Sequence, residues 1–139
     1  MLRACSILAL AATLALSSGG CRDEDHSPEG AVRLLIQAVE ELEAHKAYAL
    51  LSSGTRKLLA RRATLATEHT GGRRQLKPEE LLLMGLDKIQ LEADKIEVLE
   101  QTDQRARVKL VNSKKKVEEV LALVKEDGRW RVRLDLPGT

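Results

Sequence analysis

Three groups of side chains in this 139-residue chain have the type and spacing to do chemistry. The first is the thiol of Cys21, which follows Ser17-Ser18-Gly19-Gly20. A thiol is a nucleophile and a target of covalent modification, and small residues before it suit a cut between Gly20 and Cys21. The second is the set of carboxylates with His26, His45, His69 and Tyr48, the material of acid–base catalysis or metal binding. The third is a series of cations. Arg105, Arg107 and Lys109 alternate with apolar residues, as do Arg129, Arg131 and Arg133. Arg61-Arg62, Arg73-Arg74 and Lys114-Lys115-Lys116 add basic runs. Clustered cations attract anionic surfaces.

The thiol comes with an address. Arg3 gives a basic start, and Ile7 to Leu16 is apolar except for Thr13. A positive end, an apolar core and small residues at a cut site make a secretory signal. The core is shorter than the ~20 apolar residues that span a bilayer. A cysteine directly after the small residues resembles the lipidation box of bacterial lipoproteins, in which the signal is removed before the cysteine and its sulfur is lipidated. That resemblance implies a lipid-anchored envelope protein. Arg22 rather than Asp follows the cysteine. By similarity to the sorting rule of enteric lipoproteins, this favours the periplasmic face of the outer membrane over the inner membrane. The expected organisation is a signal over 1–20, a lipidated cysteine and charged tether over 21–27, and one domain over 28–139.

Composition narrows the chemistry. Of two cysteines, Cys5 is lost with the signal, so a lipidated Cys21 leaves no thiol for a disulfide or a cysteine metal site. The formal charge is +2, too even for a strong nucleic-acid field. One Trp, one Tyr and no Phe argue against base stacking and against an aromatic ligand pocket.

The elements that must position these groups are legible in outline. Ser27-Pro28-Glu29 is a helix start, with a capping hydroxyl, Pro at the first position and an acid in the first turn. Ala31, Leu34, Leu35, Ala38, Val39 and Leu42 repeat at helical spacing, which predicts a helix from about Pro28 to Ala44. A short helix is expected over Ala47–Leu51, with Ser52-Ser53-Gly54 as its break. Thr55–His69 reads as a helix with Leu58, Leu59, Leu65 and Ala66 on its dry side, ended by Gly71-Gly72. Pro78–Met84 adds a turn of helix stopped by Gly85. Beyond it the period becomes two. Ile96 and Val98, then Ala106, Val108 and Leu110, then Trp130, Val132 and Leu134 form dry faces, and Val117–Val124 reads as a central strand. Turn residues at 102–104, 112–114 and 126–128 link them. Helices followed by a meander predict an α+β fold, with the N-terminal helices packed on a curved antiparallel four-stranded sheet.

This order resembles a family. A lipoprotein signal, a Ser27-Pro28-Glu29 helix start, Leu50-Leu51-Ser52 and a Pro-Glu-Glu-Leu turn precede the closing Lys125-Glu126-Asp127-Gly128-Arg129-Trp130-Arg131-Val132. The pattern is similar to small bacterial lipoproteins of the nuclear transport factor 2-like superfamily. The resemblance implies a cone-like fold with a pocket, and a function that is either enzymatic or purely binding.

The candidate sites divide accordingly. A cyclase- or isomerase-like centre needs a carboxylate in an apolar pocket beside a proton donor. The predicted dry faces contain no titratable residue, and Glu97, Glu100, Asp103, Glu118 and Glu119 fall on wet faces, at strand ends or in turns. Tyr48 is expected to be a core ring with its hydroxyl at the surface, although the helices or the 71–74 loop can deliver Tyr48, Glu68 or His69 to a cone mouth. His45 and His69 end helices, which suits the dipole there. No catalytic residue, cofactor or metal is therefore expected. Arg105, Arg107, Lys109, Arg129, Arg131 and Arg133 are the expected contacts to anionic headgroups or an acidic envelope partner. A small apolar ligand is a further candidate, and nucleic acid is not an expected partner. The leading expectation is a non-enzymatic, lipid-anchored binding or structural module. The alternatives are a small cyclase or isomerase using the cone pocket, and a soluble secreted module.

Overall fold

The computed structural model describes residues 26–86 and 91–136. The expected signal, with Gly20, Cys21 and most of the expected tether, lies outside the described residues. The chain is α+β: four helices, then four strands in the order β1-β2-β3-β4, each antiparallel to the next. This is the meander expected from the period-two segments.

Helix α1 spans Pro28–Glu40, and its start follows from sequence. The Ser27 hydroxyl accepts the Gly30 N–H at 3.0 Å, and Pro28 occupies the first turn, where a missing N–H costs nothing. Ala31, Val32, Leu35 and Ala38 are buried. Its end does not reach the expected Ala44. Leu42 turns left-handed (φ 56°), and the Glu43 N–H bonds back to the Ala38 carbonyl at 2.8 Å. Leu42, expected on the dry stripe, is instead 74 % exposed. The short helix α2 is accordingly earlier than expected, at Ala44–Ala49.

The Ser52-Ser53-Gly54 break is a helix start rather than a loop. Helix α3 runs Ser53–His69 with Ser52 as its cap. The Ser52 hydroxyl accepts the Thr55 N–H at 3.2 Å and lies 3.0 Å from the Thr55 hydroxyl, which accepts the Leu134 N–H at 3.2 Å. Ser52 and Thr55 are the buried polar residues among those described, and each satisfies the other. Removing one therefore orphans a buried group. Thr55→Val, which keeps the shape, is expected to lower stability by about 1–3 kcal/mol, read by urea denaturation. A change under about 0.3 kcal/mol would show that water replaces the hydroxyl without loss.

Helix α3 also differs from expectation in its faces. Thr55, Leu59 and Ala63 are buried, whereas Leu65 is half exposed. It ends at Thr70 with Gly71 left-handed (φ 67°), and the Gly72 N–H reaches back to the Thr67 carbonyl at 3.0 Å. Helix α4 spans Pro78–Leu86 and runs through Gly85 rather than stopping there, because Leu82 and Leu86, one turn apart, are both drawn into the core.

The strands are β1 (Lys95–Gln101), β2 (Arg105–Asn112), β3 (Val117–Glu126) and β4 (Arg129–Arg133). The β3–β4 turn is two residues, Asp127 (φ 52°) and Gly128 (φ 76°), the twist-matched hairpin that an Asp-Gly pair favours. Ala106, Val108, Leu110, Leu121, Leu123, Trp130 and Val132 are buried in one core with residues of all four helices. The expected dry face thins at the β1 edge. The register shifts between Val98 and Glu100, and Val98 is 37 % exposed.

Helix α1 lies on β1, β2 and β4, whereas α2 and α3 pack chiefly on other helices. The α2–α3 link reaches the sheet by backbone: Ser52 N–H to Val132 carbonyl and Val132 N–H to Leu50 carbonyl, both 2.9 Å. This covers part of the β4 edge.

A candidate binding face on the outer side of the sheet

Cross-strand partners in a sheet share a face. Arg107 pairs with Ala122, and Ala122 with Arg133. Arg105 pairs with Val124, and Val124 with Arg131. Lys109 pairs with Val120, and Arg129 with Glu126. Val108, Leu121 and Val132 between them are buried, so these residues line the outer face. The six cations expected to act together are thus brought onto one surface. They flank an apolar spine of Val120, Ala122 and Val124, of which Val120 is 41 % exposed.

The face carries its own counter-charges, chiefly from β1. Glu100 lies 3.6 Å from Arg107, and Lys109 lies 3.2 Å from Glu97 and 3.8 Å from Glu118. Glu97 also pairs with Lys95. Hydrogen bonds from Lys95 and then Lys109 hold the Glu97 carboxyl below its ordinary range. Arg133 lies 3.6 Å from Asp135, and Arg129 and Arg131 also engage partners. Among the described residues, Arg105 has no ion pair. Exposed pairs of this kind contribute about 0–1 kcal/mol each. They can exchange for an acidic partner at small expense.

A cleft of about 450 Å³ opens beside this face, between α1, α2 and β4. Leu34, Ala38, Ala49 and Leu50 give it an apolar lining, and Glu41, Glu43, Lys46, Arg129 and Arg131 also contribute. Glu43 and Lys46 pair at 2.6 Å, which raises the Lys46 pKa. This is where the expected small apolar ligand has room.

The residues weighed for catalysis do not converge. The Tyr48 hydroxyl donates to the Arg56 carbonyl at 3.1 Å, and burial, then the charge of Glu79, raises its pKa. Arg56 and Lys57 line a shallow hollow beside it. His45, expected to end a helix, instead lies in the first turn of α2, exposed and 3.9 Å from Glu79, whereas His69 does sit in the last turn of α3. Glu68 and His69 are exposed on α3. No group of three or more metal-ligating side chains occurs among the described residues.

The assignment of every acid to a wet face, a strand end or a turn needs one correction. Glu119 pairs with Leu110 and so shares the inward face, half-buried. Lys125 pairs with Trp130 on that face too, its Nζ 5.5 Å from the ring centroid. Strict alternation, extended along β3 from Leu121 and Leu123, would have found both. The apolar run Val120–Val124 hid that parity.

No helix of the described residues is long and apolar enough to cross a membrane. No known protein family, curated protein or solved structure matches the chain.

Proposed function

We propose that the protein is a lipid-anchored, non-catalytic module of the bacterial envelope, held by Cys21 and binding an acidic segment of a partner protein on its outer sheet face. The observation that carries this reading is the register: Arg105 and Arg131 flank Val124, and Arg107 and Arg133 flank Ala122. An extended or strand-like segment laid on this spine meets cations on both sides and apolar surface beneath it. The inward face supports binding over catalysis. Glu119 and Lys125 are only half-buried on it, its fully buried side chains are aliphatic or Trp130, and Ser52 and Thr55 are consumed in a helix cap.

The finer fold reading is a small member of the nuclear transport factor 2-like superfamily. Its support is the order of elements and a last strand that carries Trp130 two residues after a Gly turn, facing the helices. Location at the periplasmic face of the outer membrane rests on the signal and on Arg22.

A photo-crosslinking residue at Val120, in cells, tests the face. A discrete protein adduct is expected, and its yield is expected to drop about five- to thirtyfold in Arg105→Glu/Arg131→Glu, since losing two charge contacts costs on the order of 1–2 kcal/mol. No adduct at Val120, or an adduct indifferent to the charge reversals, would count against the reading.

A further inference from the structure

A second group of cations lies away from the sheet. Between Arg56 and Pro78 the chain carries Glu68 as its only acid, against Lys57, Arg61, Arg73, Arg74 and Lys77, all exposed, and just beyond that stretch the Glu80 carboxylate accepts the Lys77 N–H at 3.4 Å. Among the described residues none of these five is in an ion pair, whereas Arg107, Lys109 and Arg133 on the sheet each face a carboxylate.

The fold joins the helix and the loop that carry these five. Lys57 and Arg61 are one turn apart on the exposed stripe of α3, and Leu65, half exposed, follows one turn later. Gly71 and Gly72 then reverse the chain. The Thr67 hydroxyl accepts the Leu76 N–H at 3.0 Å, and the Thr70 hydroxyl reaches the Arg74 carbonyl at 3.4 Å. The loop bearing Arg73, Arg74 and Lys77 is thereby fastened to the end of the helix. A strip of about 18 Å of helix, at 1.5 Å per residue from Lys57 to His69, continues into this cationic loop.

We infer that this α3–loop surface is the side of the domain that lies on anionic phospholipid headgroups. The inference rests on the proposed anchor for its setting. The tether from Cys21 to Ser27 extends at most about 25 Å at 3.3–3.6 Å per residue, so the domain stays close to its own bilayer. A headgroup field decays over about 8–10 Å, and the side whose cations are not already neutralised is turned toward it. Leu65, among them, has apolar surface to seat between headgroups. The sheet face is then left for a protein partner.

The test is co-sedimentation of the chain from residue 21 onward, carrying Cys21→Ala so that no lipid is attached. This chain contains every described element. Vesicles of pure phosphatidylcholine are compared with vesicles containing phosphatidylglycerol. Each Lys or Arg near an anionic surface strengthens binding by about fivefold. Binding is expected only to the anionic vesicles and is expected to weaken in high salt. Arg61→Gln/Arg73→Gln/Arg74→Gln is expected to weaken it on the order of a hundredfold. The matching triple Arg→Lys variant should bind like the parent, and so should Arg105→Gln/Arg131→Gln. Lys57→Gln/Lys77→Gln, on the same surface at different positions, should lose about 25-fold.

Equal binding to both vesicles, no binding by the parent chain, an unaffected Gln triple, a Lys triple that fails, or loss confined to the sheet variant would each overturn the assignment. Because the chain is unlipidated, a failed anchor leaves this result untouched. The sheet variant separates it from the partner face.

Discussion

Protein extracted from membranes is expected to weigh more than residues 21–139 alone, by the mass of the acyl groups on Cys21, and to carry labelled palmitate. A chain with Cys21→Ala, secreted through an ordinary signal so that no apolar segment remains, is expected to carry neither. On detergent phase separation it should move from the detergent phase to the aqueous phase. The effect is large because each buried CH₂ contributes about 0.8 kcal/mol, so several acyl chains hold a protein almost permanently. Detergent-phase partition of the Ala chain, or a native mass equal to the bare polypeptide, would remove the anchor. The soluble secreted alternative would then stand.

The second large effect is on stability. Trp130→Ala is expected to cost about 3–5 kcal/mol, the range for removing a buried aromatic ring. Trp130 is 1 % exposed and is the largest fully buried side chain of the core. The rest of that core is aliphatic, and the chain has no Phe to refill the space. Small domains are stable by about 5–15 kcal/mol in all. The variant is therefore expected to unfold at a much lower urea concentration, or to be partly unfolded in buffer. Trp130→Leu, which leaves a smaller hole, should lose clearly less. A loss under 1 kcal/mol for the Ala variant would mean that the helices close over the gap.

Glu97 adds a mild pH dependence whose direction follows from its bonds. Lys95 and Lys109 lower its pKa in the folded chain. A depressed carboxylate gives its stabilisation above its unfolded pKa and loses it as pH falls through the folded one. The β1–β2 pairing is thus expected to loosen in acid, first at an edge strand already bulged between Val98 and Glu100. Amide exchange across β1 is the direct readout.

The periodicities fixed much of this molecule. Ser27-Pro28-Glu29 specified the start of α1 because capping is local chemistry, satisfied within three residues. Alternation in Ala106–Leu110 and Trp130–Leu134 specified strands, because the sheet repeat of two needs no knowledge of partners. It also placed Arg105, Arg107 and Lys109 on one face, and Arg129, Arg131 and Arg133 on one face. The Asp-Gly turn between β3 and β4 was equally local. The proposed signal segment and lipidated Cys21 rest on sequence altogether.

Tertiary structure decided whatever depends on partners distant in the chain. Alternation cannot say which residues stand opposite one another. Only the β2–β3 and β3–β4 registers join two rows of arginine across Ala122 and Val124. The Ser52-Ser53-Gly54 segment opens α3 instead of breaking the chain: its cap on the Thr55 N–H is as local as that of Ser27, and only the bond from the Leu134 N–H to the Thr55 hydroxyl needed the fold. Gly85 stayed helical because Leu82 and Leu86 had a core to enter. Charge was the sharpest case. Sequence alone made the sheet and α3 look alike, as two runs of cations. Folding brought Glu97, Glu100 and Glu118 to the sheet's cations and, among the described residues, gave Lys57, Arg61, Arg73, Arg74 and Lys77 no such partners, because ion pairing is a contact of space and not of sequence.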